Sequence, residues 1–280
     1  MIYLFLATIC FSFSFGLIKS QITGLAPDCV VFFRLVFAGI IFLPFFLCSI
    51  KKLKLKNIVF AALIGIIQYG IMYACFLRAF RYLQGNEIVL LTASTPMFVI
   101  IFSSIFSKKI DLRYFLCVII AICGALIVAT GTTAPKFLLR GVIFMETANI
   151  TFALGQILWK KYIYEKTENL IAISYFSAAC CVLPFALLDG LTNFSASKLQ
   201  WLSILYLGTI PTGIGFWLWN KGAQKVSDVL LSVMNNLKIP FGVIFAMVIF
   251  HEKTNPITFI IGSSLLIFAV IYSFTLNKNN

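Results

Sequence analysis

A lysine lies deep inside one of the long apolar runs of this sequence. Lys238 stands about ten residues into the run 228–250. An ammonium group in the middle of a membrane costs roughly 2.5–3.5 kcal/mol on insertion scales unless water or a counter-charge reaches it. Asn235 lies three residues earlier and therefore on the same helical face. The pair predicts an anchor for a substrate carboxylate or phosphate; a structural lysine bonded to backbone carbonyls is the alternative.

Glu146 is the carboxylate that lies well inside another apolar run. Asn149, Ala153 and Gln156 follow it at the spacing of one helical face, and all are small or polar. That face should contact protein or water rather than lipid. Because Arg34 enters its own apolar run at a similar depth, we predict an Arg34–Glu146 ion pair with a structural or gating role. The alternative is that Glu146 carries a coupling proton, which would require burial to favour its neutral form.

Prolines and aromatic residues provide further candidates for a binding cavity. A proline inside a helix removes one backbone hydrogen bond and leaves a carbonyl group available. Pro96 and Pro240 therefore predict kinks that line a cavity and act as rocking points. Two stripes of aromatic and polar side chains predict cavity walls, with ordinary helix packing as the alternative: Tyr69, Tyr73, Phe216 and Asn220.

The residues of common enzyme chemistry are scarce. His251 is the single histidine, and the eight cysteines form no CxxC pair or other metal-binding spacing. A phosphate-binding P-loop is absent from the sequence, so ATP is not expected to be the direct energy source. We therefore expect neither an enzyme nor a bound cofactor or metal ion. The cysteines are interpreted as small apolar side chains.

Composition shows which solvent surrounds these residues. Of the 280 residues, 61% are hydrophobic and only 11% are charged, and the mean hydropathy is +1.02. Soluble domains carry about 25% charged residues, so most of this surface must face lipid. Runs of roughly 20 apolar residues predict membrane-spanning helices. We predict ten, at about 2–18, 29–50, 57–77, 86–107, 114–132, 141–159, 169–188, 199–220, 228–250 and 255–275.

The basic residues predict the orientation in the membrane. The net charge of +13 could suggest a nucleic-acid partner, but Lys and Arg cluster in the short connections between apolar runs. Thirteen of them lie on the side that holds both termini and seven on the other side. The positive-inside rule therefore predicts both termini in the cytoplasm. We expect the inner membrane of a bacterium and no nucleic-acid partner.

The two halves of the sequence align with a nearly constant offset. The offset places Ser94 opposite Lys238, and the other matches are Leu43-Pro44 with Leu183-Pro184, Gly65 with Gly208, Gly70 with Gly213, Arg78 with Lys221, and Pro96 with Pro240. Because each half has an odd number of spans, the second must enter the membrane upside down. The predicted fold is thus an all-α integral membrane protein with ten transmembrane helices, arranged as two inverted five-helix repeats around a central cavity. The predicted domains are 1–132 and 141–275.

Several motifs resemble those of the EamA family of the drug/metabolite transporter superfamily. They are LTASTP before the first proline, MNNLKIP before the second, and FFR around Arg34. The resemblance implies a central cavity and the export or exchange of metabolites such as amino acids. Members often end helices 4 and 9 with Gly-Glu, whereas this chain has Ser107-Lys108 and His251-Glu252.

Together these features predict a secondary transporter that works by alternating access with a site near the membrane midplane. The expected partners are the lipid bilayer, a small metabolite such as an amino acid or a related zwitterion or anion, and a coupling proton or counter-metabolite. A passive channel or a scaffold subunit without transport activity is the alternative.

Overall fold

The computed structural model describes residues 1–22, 24–108, 110–129, 138–249 and 255–278, and this part of the chain is helical with no strand. Nine of its helices are long and apolar enough to cross a membrane, and a tenth is shorter. They are α1 Ile2–Ile22, α2 Pro27–Lys52, α3 Leu55–Ala79, α4 Glu87–Ser107, α5 Leu112–Val128, α6 Leu139–Tyr162, α7 Thr167–Leu188, α8 Lys198–Ala223, α9 Asp228–Phe245 and α10 Pro256–Leu276. The predicted all-helical membrane fold is confirmed. Some residues that the sequence predictions use lie outside the described ranges. They are 130–132, 250, Lys109, Lys136, His251, Glu252 and Lys253.

The local sequence explains where several helices begin. Pro27 occupies the first turn of α2, where its missing N–H costs nothing. Ser197 precedes α8 and accepts a hydrogen bond from the Gln200 amide, while the Gln200 side chain accepts one from the Ser197 amide. Ser227 precedes α9, and its side chain accepts a hydrogen bond from the Leu230 amide. Between these ends, lipid offers the backbone no hydrogen-bond partner, so each apolar run must satisfy its own backbone groups as a helix.

The helix contacts repeat between the two halves of the chain. Helix α2 packs on α7, and α5 packs on α10. The contacts of α3 with α6 and α7 have counterparts in those of α8 with α1 and α2. Likewise α4 contacts α6, and α9 contacts α1. Each contact recurs with the roles of the halves exchanged, so a pseudo-two-fold axis relates the two five-helix repeats, and because five is an odd number the second repeat is inverted.

Two matched glycines make the close helix contacts possible. A Cβ atom at Gly65 would lie 2.2 Å from the carbonyl oxygen of Ser174 in α7. A Cβ atom at Gly208 would lie 3.0 Å from the carbonyl oxygen of Arg34 in α2. Both positions therefore need a residue without a side chain. The glycine at each position lets a helix of one half touch the backbone of a helix from the other half.

Helix irregularities also occur in matched pairs. Helix α3 contains a π-helical segment over Ile66–Ile71, and α8 contains one over Gly208–Gly215. In α8 the carbonyl oxygens of Thr212 and Gly213 accept hydrogen bonds from the Tyr175 hydroxyl at 2.8 and 2.9 Å. A side chain from α7 thus donates hydrogen bonds to carbonyl groups of the irregular turn.

Helices α4 and α9 are both interrupted near their middles. The first halves end at Thr92 and Met234, and the second halves begin at Thr95 and Lys238. Pro96 and Pro240 follow the two interruptions closely, where a proline does not break a helical hydrogen bond. At the interruptions, side chains of other helices donate to backbone carbonyls, as Asn149 does to Leu91 and Ser12 does to Lys238.

Candidate functional site

A central cavity lies between helices from both repeats. Its empty space is about 600 Å³ when the part that is continuous with solvent is included. The lining residues are mainly aromatic and aliphatic, with a few polar groups: Phe11, Ser14, Ile18, Arg34, Met72, Tyr73, Phe76, Thr92, Met145, Ala148, Asn149, Phe152, Phe216 and Lys238. Ile18 and Phe76 lie near the ends of α1 and α3, and Thr92 lies in the first half of α4. The cavity is therefore in the half of the molecule nearest the α1–α2 and α3–α4 connections.

Lys238 lines the cavity from the first turn of the second half of α9. Its backbone carbonyl accepts a hydrogen bond from the Ser12 hydroxyl of α1 at 3.0 Å, which fixes the position of this turn. The ammonium nitrogen lies 5.5 Å from the centre of the Phe152 ring. No hydrogen-bond acceptor for this nitrogen is found in the described part of the chain. Lys238 therefore presents a cation to the cavity that an anionic ligand can pair with.

Arg34 also lines the cavity, but its guanidinium is held firmly. Nε and Nη2 donate to the Thr212 hydroxyl at 3.3 and 3.1 Å, and Nη2 donates to the Tyr73 hydroxyl at 3.1 Å. The guanidinium also lies 4.3 Å from the centre of the Tyr73 ring. The remaining nitrogen, Nη1, is buried and has no hydrogen-bond partner among the described residues. The site thus contains a fixed cation with one donor group that the described chain leaves unpaired.

The predicted ion pair between Arg34 and Glu146 is not formed, although both residues are described. The Glu146 carboxylate instead accepts hydrogen bonds from Ser94 at 2.8 Å and from Asn149 at 3.3 Å. Asn149 lies one turn beyond Glu146 in α6 and also donates to the Leu91 carbonyl at 2.9 Å. Glu146 therefore joins α6 to the interruption in α4. Its role in carrying a coupling proton stays a prediction.

The floor of the cavity is a cluster of aromatic rings. Phe216 contacts the rings of Phe11 and Phe152, with centroid distances of 4.8 and 5.7 Å. Beneath it, Tyr69 contacts Phe216 at 4.9 Å, and Trp219 contacts Phe152 at 6.0 Å. The rings separate the cavity from polar groups that lie further along the same helices.

The structure brings together only part of the predicted site. Of the predicted residues, Arg34, Tyr73, Phe216 and Lys238 line the cavity. Seven others are not among its lining residues: Tyr69, Ser94, Pro96, Glu146, Asn220, Asn235 and Pro240. Tyr69, Asn220 and Asn235 are buried below the aromatic floor, and the two prolines pack inside the bundle. Glu146 is a predicted charge-pair or coupling residue rather than a cavity residue, and the substrate role of the other six stays a prediction.

Two kinds of candidate residue, one in the cavity floor and one beneath it, are not among the predicted site residues. Phe11 and Phe152 form the floor, yet nothing distinguishes them among 30 phenylalanines. Gln68 is fully buried in α3, where an amide within an apolar run is itself a signal of function. A search of all intramembrane polar residues, rather than charged ones alone, would have found it.

The ionisable side chains of the cavity are basic. Arg34 and Lys238 line it, and none of its described lining residues is an aspartate or a glutamate. Two inverted repeats that enclose such a cavity in the membrane define a transporter of small molecules.

Comparison with known proteins identifies the family. A model of the EamA-like transporter family matches residues 1–130 and again residues 139–275. The chain belongs to this family, as its motifs indicated. Its relatives and its family are transporters, not enzymes, so the protein is a multi-pass membrane transporter.

Among its relatives is a biotin transporter of Escherichia coli strain K12, which is 30% identical over 273 residues that cover 95% of this chain and 90% of that protein. A probable biotin transporter of Pseudomonas aeruginosa is 29% identical, covering 95% and 94% of the two chains. One crystal structure, with 16% identity, superposes with a TM-score of 0.78 and covers 98% of this chain and 97% of that chain. That likeness shows the fold alone.

Proposed function

We propose that the protein carries a small organic carboxylate across the membrane by alternating access. The supporting observation is the pair of cations, Arg34 and Lys238, in a cavity whose described lining holds no acidic residue. The unpaired Arg34 Nη1 and the Lys238 ammonium are the groups that receive the carboxylate. In a water-poor site such charge-assisted hydrogen bonds are stronger than neutral ones.

Biotin is the substrate that we propose first. Of the relatives named above, one is a biotin transporter and the other a probable biotin transporter. Biotin combines one carboxylate with an uncharged body that suits aromatic walls. An amino acid, the class implied by the family resemblance, fits this cavity less well. Its ammonium group would need an acceptor of opposite charge, and the described lining offers two cations instead.

Alternating access is supported by the symmetry of the ion pairs near the ends of the helices. Arg78 of α3 pairs with Asp28 of α2 at 2.6 Å. Their counterparts in the second repeat, Lys221 of α8 and Glu168 of α7, pair at 3.5 Å. Because the repeats are inverted, the two pairs lie at opposite ends of the bundle. In alternating access, one end of the bundle is open while the other is closed, and the two ends then change roles. Matching ion pairs at both ends suit such a cycle.

We propose that both termini are cytoplasmic, as the distribution of basic residues predicts. A green fluorescent protein fused to the C-terminus should then fluoresce, and alkaline phosphatase fused there should be inactive. As a control, alkaline phosphatase fused after Ser195, between α7 and α8, should be active. Active phosphatase at the C-terminus, together with inactive phosphatase after Ser195, would show the opposite orientation.

Counterflow in proteoliposomes tests the proposed function. Vesicles loaded with unlabelled biotin should take up labelled biotin transiently above its equilibrium level, because a carrier exchanges one molecule for another. Protein-free vesicles and vesicles without internal biotin are the controls. A passive channel would only equilibrate the label, and a scaffold subunit would not move it. Either result, obtained with folded protein, would reject a carrier for biotin.

A further inference from the structure

Four buried carboxamide side chains lie beneath the aromatic floor of the cavity. They are Gln68 of α3, Gln156 of α6, Asn220 of α8 and Asn235 of α9, and none is more than 1% exposed. We call these four residues the carboxamide layer. Each follows or precedes a residue of the cavity wall or floor by about one helical turn: Met72, Phe152, Phe216 and Lys238. Four helices thus carry an amide to one level of the bundle.

Hydrogen bonds join the layer in two groups. Gln68 Nε2 donates to Asn220 Oδ1 at 3.1 Å, and Asn220 Nδ2 donates to the Tyr69 hydroxyl at 2.6 Å. Gln156 Oε1 accepts from Trp219 Nε1 at 3.0 Å and from Asn235 Nδ2 at 3.4 Å. The layer is therefore held in place from both sides by the aromatic residues that support the floor.

Three atoms of the layer are buried and find no hydrogen-bond partner in the described part of the chain. They are Gln68 Oε1, Gln156 Nε2 and Asn235 Oδ1. Buried polar atoms are nearly always paired, because an unpaired one loses its hydration without compensation. Three such atoms at one level, on three different helices, suggest that this conformation lacks a partner that another conformation provides. The set consists of two acceptors and one donor.

We infer that the carboxamide layer binds a planar amide or urea group of the substrate in the conformation that opens the cavity toward the opposite end of the bundle. A urea presents two N–H donors and one carbonyl acceptor, the complement of the three unpaired atoms. The inference rests on the proposed function, in which Arg34 and Lys238 receive the carboxylate. The substrate class is then a carboxylate with an amide or urea group at its other end.

The rings of the floor are the part that must move. Phe11, Phe152 and Phe216 contact one another through their faces and edges and contribute no hydrogen bond between α1, α6 and α8. A shift of α8 at its π-helical segment, Gly208–Gly215, would move Phe216 and connect the cavity with the layer. Irregular turns of this kind are frequent at functional sites.

Transport by proteoliposomes tests the inference with three compounds. Biotin and dethiobiotin contain a urea group, whereas lipoate has the same pentanoate chain as biotin but no urea. For the wild-type protein, dethiobiotin should inhibit labelled biotin uptake strongly and lipoate weakly. This comparison needs no variant. Equal inhibition by dethiobiotin and lipoate would contradict the inference and leave the carboxylate site intact.

Two variants test whether the carboxamide layer causes the preference for biotin over lipoate. Gln156→Met keeps the length of the side chain and removes its amide, so the preference for biotin over lipoate should fall about tenfold while lipoate uptake persists. Asn235→Leu should act in the same direction and serves if the first variant does not fold. Ser174→Ala, which removes a buried hydrogen bond to the Ala61 carbonyl and none to the layer, is the matched control. It should keep the wild-type preference.

The outcomes separate the two proposals. An unchanged preference in folded Gln156→Met and Asn235→Leu would overturn the role of the layer. A loss of preference in Ser174→Ala as well would show a general packing effect and would also overturn it. Failure of folded wild-type protein to transport biotin, dethiobiotin or lipoate would reject the proposed function, and with it the inference that depends on it.

Discussion

Replacement of Lys238 by methionine is expected to lower carboxylate transport about 10- to 100-fold at low substrate concentration. A hydrogen bond to a charged group contributes about 1.5–3 kcal/mol, and each 1.4 kcal/mol corresponds to a factor of ten. The ammonium of Lys238 reaches the cavity without a protein acceptor in the described chain. Methionine keeps most of the apolar stem beside Phe152, so the fold should be retained. Initial rates of labelled biotin uptake in proteoliposomes measure the effect.

Two further lysine variants make the result specific. Lys198→Met makes the same change at an exposed position at the start of α8, and it should transport like the wild type. Lys238→Arg keeps the charge and should retain part of the activity. Wild-type transport by a folded Lys238→Met protein would show that Lys238 is structural and that the carboxylate binds elsewhere.

Replacement of Arg34 by methionine is expected to remove nearly all transport activity. The unfolding temperature of the protein should fall only slightly. The Tyr73 and Thr212 hydroxyls bond to each other at 3.0 Å, and Thr212 also donates to the Leu207 carbonyl at 2.7 Å. Both hydroxyls therefore keep a partner when the guanidinium is removed. The substrate, however, loses the donor at Nη1 and one of the two positive charges of the cavity. We expect a loss of at least about 100-fold, at the upper end of what one charged hydrogen-bonding group contributes.

The measurement combines transport with thermal unfolding of the purified protein in detergent. Tyr73→Phe is the matched control, because it removes one acceptor of Arg34 and keeps the ring that the guanidinium lies against. It should reduce transport far less than Arg34→Met. A large fall in unfolding temperature with normal transport per folded molecule would instead assign Arg34 a purely structural role.

The repeat could be recognised from the sequence because both copies obey the same packing constraints. Gly65 and Gly208 match in the alignment, and each touches the backbone of a helix from the other half. The ion pairs of Arg78 and Lys221 could not be predicted in this way. Their partners, Asp28 and Glu168, lie at the starts of other helices, and only the packing of α2 with α3 and of α7 with α8 brings them together.

The choice of cavity residues shows a similar limit. Lys238 could be predicted as functional, because a charge within an apolar run is costly wherever the helix lies. The symmetric positions of Pro96, Pro240 and Ser94 predict a place in the cavity for all three, but position along a helix does not say which direction a side chain takes. The interruptions of α4 and α9 change that direction within a few residues.

The membrane environment, the helical class, the inverted repeat and a basic residue near the centre can all be predicted from the order of the residues. These properties follow from the cost of placing backbone and charge in lipid, which each segment meets independently of the others. The tertiary structure decided the partners of Arg34 and Glu146, the aromatic floor and the carboxamide layer. Those features join residues that are far apart in the chain, and they depend on distances of a few ångströms that only the packing of the helices sets.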